Sequence, residues 1–150
     1  MKAVVGLIQE RIIPAAMELI DQRSLDAVAQ HLEDRTLAPD GTGALLLIEV
    51  DGTEVTVEEE AALVESACVK AGATEVLRST NDDERNELWR VRRELSPSLR
   101  TIADLKINHD VVVPRSGITS LFEFIQQLRE RFNLTIACFG HIGDGNIHVN

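Results

Sequence analysis

Apolar positions along this chain recur in two periods, near 3.6 and near 2, which mark amphipathic helices and strands. Val4, Leu7, Ile8 and Ile12 share one face of a short helix at the start. No Ser, Thr, Asp or Asn stands before it as a cap, which suits a helix that is longer in some parent chain. Ile12 to Ile20 reads as a strand, because Pro14 is disfavoured inside a helix. A helix follows from near Asp21 or Ser24 to Leu32. Gly43 to Val50 is an apolar run closed by Asp51-Gly52, which predicts a buried strand. Thr56, with Glu59 at capping-box spacing, opens a helix ending at Gly72. Thr74 to Arg78 reads as a short strand. Asn81-Asp82-Asp83-Glu84 opens another helix, its acids at the positive end of the dipole, and Pro97 perturbs or ends it. Asp110 to Pro114 is a strand. Ser116 or Ser120 opens a helix whose apolar face is Ile118, Leu121, Phe122, Ile125, Leu128 and Phe132. Leu134 to Phe139 is the last clear strand.

This alternation fits either a parallel doubly wound sheet or ferredoxin-like split βαβ units. No GxGxxG or P-loop follows a strand, which disfavours the nucleotide-binding form of the first. The one early loop-like gap, Ala38 to Gly43, is too short for a linker, so residues 1–150 form one domain.

Composition narrows the classes. The 150 residues are 44% hydrophobic and 27% charged, the profile of a soluble globular domain. The net charge of −10 argues against nucleic acid as a partner, since phosphate backbones need a basic face. No signal-peptide pattern or membrane-length apolar run is present. Cys68 and Cys138 lack CxxC spacing and read as buried free thiols in a reduced compartment.

The candidate chemistry gathers in Phe139-Gly140-His141-Ile142-Gly143-Asp144-Gly145-Asn146-Ile147-His148-Val149-Asn150. Glycines on both sides of Asp144 disfavour a helix, and Asp144-Gly145 favours a two-residue hairpin turn. Gly143 then pairs with Asn146, Ile142 with Ile147, and His141 with His148. Opposed residues hold their Cβ atoms roughly 4.5–5.5 Å apart, so both imidazoles reach one metal ion. Asn150 points to the same face. A plain hairpin with two incidental histidines is equally compatible with the spacing. Two ligands do not complete a metal site, and a third must come from elsewhere.

Two further groups carry chemistry. Trp89, Arg92 and Ser96 share a helix face, where a guanidinium can grip a carboxylate through two parallel hydrogen bonds. Alternatively, Trp89 packs in the core and Arg92 pairs with a surface acid. Lys106-Ile107-Asn108-His109-Asp110 enters a strand and either lines a cleft or forms a solvated loop. His31 reads as a surface residue.

Together these stretches resemble the C-terminal, substrate-side domain of FAD-linked oxidases of the vanillyl-alcohol oxidase superfamily. The nearest branch holds D-2-hydroxy-acid dehydrogenases and the glycolate oxidase flavoprotein subunit. The likeness runs from Ile13-Pro14-Ala15-Ala16-Met17-Glu18 through Leu45 to Gly52, Leu88 to Arg92 and Asp110 to Arg115, and closes on Gly140 to Asn150. It implies an α+β domain of ferredoxin-like split βαβ units, an antiparallel sheet with helices on one face. It implies that His141 and His148 bind a divalent metal such as zinc, that Arg92 contacts the substrate carboxylate, and that Ser96 supplies a neighbouring hydroxyl. Asn150 faces substrate and flavin. A lysine before the Asp-x-x-x-Pro strand also contacts substrate in some members; Lys106 is the nearest here, while the position counts to Asn108.

The resemblance further implies that the full-length protein oxidises a small D-2-hydroxy acid to the 2-oxo acid, with hydride passing to FAD. The family's FAD-binding domain and its later Glu-His-Gly segment, with the third ligand and catalytic histidine, do not appear in these 150 residues. The chain is therefore expected to be a partial, inactive C-terminal domain that works with the FAD domain of its parent enzyme. The expected location is cytoplasmic, or peripheral to a membrane through an electron acceptor. Unpaired strand edges favour a homodimer. A non-catalytic ferredoxin-like module with a vestigial metal motif is the alternative.

Overall fold

A computed structural model describes every residue of the chain except Met1, Arg11 and Asp104. Among the described residues, five α-helices and five strands alternate irregularly: α1 (Lys2–Gln9), β1 (Ala16–Asp21), α2 (Gln22–His31), β2 (Ala44–Glu49), α3 (Glu54–Lys70), α4 (Asp82–Ile102), β3 (His109–Val112), α5 (Ile118–Phe132), β4 (Cys138–His141) and β5 (Asn146–Val149).

The strands form one sheet in the order β2-β1-β4-β5-β3, antiparallel at every pairing. Since β3 and β4 both run against β5, they are parallel to each other with β5 between them. The segment β3-α5-β4 is thus a split βαβ unit, and the expected α+β antiparallel class is what forms.

Helices were expected on one face, but they cover both. Ile20, Leu47 and Phe139 pack with Leu25 and Val28 of α2 and Val91, Leu95 and Leu99 of α4. Met17 points the other way and packs with Val4 and Leu7 of α1, Ala67 of α3 and Ile118 of α5. Cys138 and Ile147 meet Ile125 of α5. The alternation of β1 explains the division: Met17 and Ile20 are odd and even positions, and both faces of this strand carry apolar side chains. A fully buried leucine such as Leu95 contributes roughly 1.5–3 kcal/mol.

Several element boundaries differ from the sequence expectations for local reasons. Thr53, not Thr56, caps α3, its hydroxyl accepting the Thr56 amide at 3.3 Å immediately after the Asp51-Gly52 turn. Pro97 does not end α4. The Ser98 hydroxyl donates to the Glu94 carbonyl at 2.6 Å, supplying a bond beside the proline where the ladder loses one. Strand β2 lies at the sheet edge, and Leu47 is its one buried residue. The predicted strand at Thr74 to Arg78 does not pair; Val76 to Ser79 face β2 across a groove of about 260 Å³, and Arg78 turns to Glu58. The last strand starts later than expected, because Leu134 still donates to Arg129 at the exit of α5.

Candidate functional site

The C-terminal hairpin supplies the first wall. Its register pairs His141 with Asn146, Gly140 with Ile147, Phe139 with His148 and Cys138 with Val149. The turn is therefore not the two-residue Asp144-Gly145 type; Ile142, Gly143, Asp144 and Gly145 form the loop. Gly145 explains the longer loop. Its φ is +76°, and an added Cβ would lie 2.0 Å from the Val113 carbonyl oxygen. Its own carbonyl accepts the Val113 amide at 3.0 Å, tying the loop to the end of β3.

The histidines are consequently diagonal rather than directly opposed. They still share a face, because Asn146 opposite His141 lies two residues from His148. Their ring centroids are 6.3 Å apart. Each Nδ1 faces a carboxylate: His148 contacts Asp110 Oδ1 at 2.5 Å, and His141 contacts Glu18 Oε1. A carboxylate only accepts, so each ring donates through Nδ1 and keeps the Nε2 lone pair for another partner. The bond from His148 lowers the Asp110 carboxyl below its ordinary range.

The second wall is α4, which presents Arg92, Ser96 and Arg100 one turn apart. These three, with Lys106, Asn108, Phe139 and His148, line a cleft of about 380 Å³. Arg92 donates through Nε to Glu18 Oε2 at 2.8 Å, and its guanidinium lies 4.9 Å over the Phe139 ring. Among the described residues, no acceptor meets Arg92 Nη1 or Nη2, so that end of the fork is available to a carboxylate. Burial and the Arg100 charge both lower the Lys106 pKa.

Most of the expected residues thus come together. Arg92, Ser96, Lys106 and His148 line one cleft, and His141 stands beside His148. Asn150 is not part of that lining. It exchanges two backbone bonds of 2.9 Å with Ala137, which prolongs the hairpin ladder, and its side chain lies on the histidine face. Both of its amide atoms are buried without a partner, as is Oδ1 of Asn146. Buried polar atoms without a partner are rare in folded proteins. Of the two readings of Trp89 and Arg92, the structure takes a part of each: Trp89 packs on the core, and Arg92 meets an acid that is buried rather than at the surface.

Glu18 and Arg100 were not singled out from the sequence, and Asp110 was marked only as the last residue of the stretch from Lys106. Glu18 carried a signal, being an ionisable side chain on the same strand face as Ile20. Arg100 carried none beyond its place in α4. Among the described residues, no group of three or more His, Cys, Asp or Glu side chains surrounds a metal position. The described residues thus offer the histidine pair alone, with both Nδ1 atoms already turned to carboxylates. Cys68 and Cys138 are buried free thiols, as expected, and no described helix is long and apolar enough to cross a membrane.

Known proteins place these features. The chain is similar to the glycolate oxidase subunit GlcD of Bacillus subtilis (strain 168), 33% identical over 147 residues, covering 98% of this chain and 31% of that protein. It is also similar to a D-lactate dehydrogenase of Anaerostipes hadrus, 27% identical over 143 residues, with 92% and 30% covered. A mitochondrial D-2-hydroxyglutarate dehydrogenase of Arabidopsis thaliana is 25% identical over 143 residues, with 92% and 25% covered. The chain therefore spans under a third of the length of these relatives. The family model for the C-terminal domain of FAD linked oxidases matches residues 1–150, and the chain belongs to that family.

Proposed function

We propose that this chain is the substrate-side domain of an FAD-dependent dehydrogenase that oxidises a D-2-hydroxy acid to the 2-oxo acid. The observation that carries the reading is the cleft itself, where the open end of the Arg92 fork and the His148 ring face one space. The relatives act on small hydroxy acids by their names, and such a substrate offers a carboxylate and an adjacent hydroxyl.

In this reading, Arg92 takes the carboxylate through Nη1 and Nη2, with its guanidinium resting over the Phe139 ring. Ser96 donates a hydroxyl from the next turn, and Lys106 and Arg100 add positive charge. His141 and His148 would offer their Nε2 atoms to a divalent ion. The third ligand comes from another part of the parent protein. Asn150 turns its unsatisfied amide to the substrate or the flavin. When bound, the ion supplies Lewis acidity at the hydroxyl and FAD accepts the hydride. These residues bind and orient; removal of the hydroxyl proton belongs to a base outside them.

The test is dye reduction by the full-length flavoprotein with glycolate, D-lactate and D-2-hydroxyglutarate. Arg92→Ala is expected to lower kcat/KM about 10- to 100-fold, the value of one charge-assisted hydrogen-bonding group of about 1.5–3 kcal/mol. Unchanged kcat/KM for every acid oxidised would remove Arg92 from the site.

A further inference from the structure

Glu18 is a buried acid among apolar neighbours. It is 2% exposed and sits on β1, with β2 paired on one side and β4 on the other. Ile20 shares its strand face, and Leu47 lies opposite it on β2. A carboxylate in such a place is costly, and replacing buried ion pairs with apolar side chains is often neutral or stabilising. Stability alone is thus a poor reason for an acid here.

Both oxygens of Glu18 are committed to the site. Oε2 accepts from Arg92 Nε at 2.8 Å, and Oε1 faces His141 Nδ1. The strand register puts Glu18 directly beside His141. We infer that Glu18 is a positioning residue, one carboxylate that aims the Arg92 fork and orients the His141 ring together. This rests on the proposed function above, in which those two groups hold the substrate carboxylate and a divalent ion.

The geometry gives each contact a consequence. Arg92 comes from α4 and His141 from β4, elements that Glu18 joins across the sheet face. Occupying Nε leaves the two terminal nitrogens of the guanidinium as the edge presented to the cleft. Occupying Nδ1 leaves Nε2 as the donor of His141, and carboxylate partners of ligating histidines raise ring basicity and restrict rotation. The half-exposed His141 ring has the freedom to swing away without that tether. Glu18 therefore couples two halves of one site.

The experiment uses the full-length flavoprotein carrying Glu18→Gln, which preserves volume, removes the negative charge from both contacts and removes the acceptor from one of them. Zinc affinity is measured by competition with a chelator, alongside kcat and KM at saturating zinc, flavin content and Tm. Zinc affinity is expected to fall about 10- to 100-fold, the usual effect of losing such a partner. KM is expected to rise even when zinc is saturating, because the Arg92 fork loses its aim. His141→Ala is measured beside it. Loss of zinc affinity in both variants supports the inference. Loss in His141→Ala alone, with KM unchanged in Glu18→Gln, overturns it and leaves the proposed function standing. Unchanged zinc affinity in both overturns the metal part of the proposed function, and this inference with it. If Glu18→Gln does not retain flavin, Glu18→Asp carries the same test, since it keeps the charge but cannot reach both partners.

Discussion

At the scale of single residues, side-chain surroundings decide what each group can do. Cys138 is fully buried, and desolvation pushes its thiol up to about 12 from an ordinary 9.0. A raised folded-state pKa means that the contribution to stability is complete below about pH 9 and is lost as pH rises towards 12. Cys138 is accordingly expected to resist iodoacetamide at pH 8 in the native chain and to react once the chain is unfolded in urea. Mass spectrometry of the two samples checks this, and rapid native labelling would contradict the burial. The histidines were legible in the sequence, because two imidazoles close to a glycine turn announce themselves. Glu18 was not, because one acid in an apolar strand looks like any break in alternation. Its meaning comes from Arg92, 74 residues away, and His141, which only the folded sheet brings to it.

At the scale of elements, periodicity located the pieces well, and pairing then adjusted them. The helices near residues 22–31, 82–102 and 118–132 follow from apolar spacing, and the strands of β1, β2 and β3 from apolar runs. The hairpin register did not follow. Asp-Gly is a strong two-residue turn signal, but contact between Gly145 and Val113, just past β3 and remote in sequence, selects a longer loop. The shared face survived this error, because a shift that preserves parity leaves His141 and His148 on one side of the hairpin. Gly145→Ala tests the tether. The left-handed backbone alone costs about 1–2 kcal/mol, and the new Cβ meets the Val113 carbonyl, so the loss should exceed that amount. Chemical denaturation gives the measurement; a change under about 0.5 kcal/mol would show that the loop is not held against β3. The segment at 74–78 failed for a related reason. Its residues favour an extended chain, but strand identity requires a partner, and β2 does not bond to it.

At the scale of the whole molecule, the sheet and the helical layer divide the site between them. Glu18, His141, Asn146, His148 and Asn150 lie on neighbouring strands or their continuation, locked by backbone ladders. Arg92, Ser96 and Arg100 hang on α4, which rests on that sheet through Val91, Leu95 and Leu99. The proposed metal donors and the proposed substrate grip thus belong to different layers. Exchanging the stretch from Asp82 to Ile102 for that of the D-lactate dehydrogenase relative, within the full-length protein, should shift the ratio of kcat/KM among hydroxy acids. Zinc content should stay the same in the exchanged protein, and a fall in it would show that the layers are not separable. The cationic lining also stands out against a chain of net charge −10, since Arg92, Arg100 and Lys106 gather at one mouth. Because Gly145 has no room for a side chain and the ladders leave no slack, the sheet half of the site tolerates little drift. In the proposed function the helix, by contrast, meets the substrate through long side chains, where one substitution changes reach or charge without disturbing a strand. Under the proposed function, a change of acid is a matter of rewriting one helix face, while the histidine hairpin stays as it is.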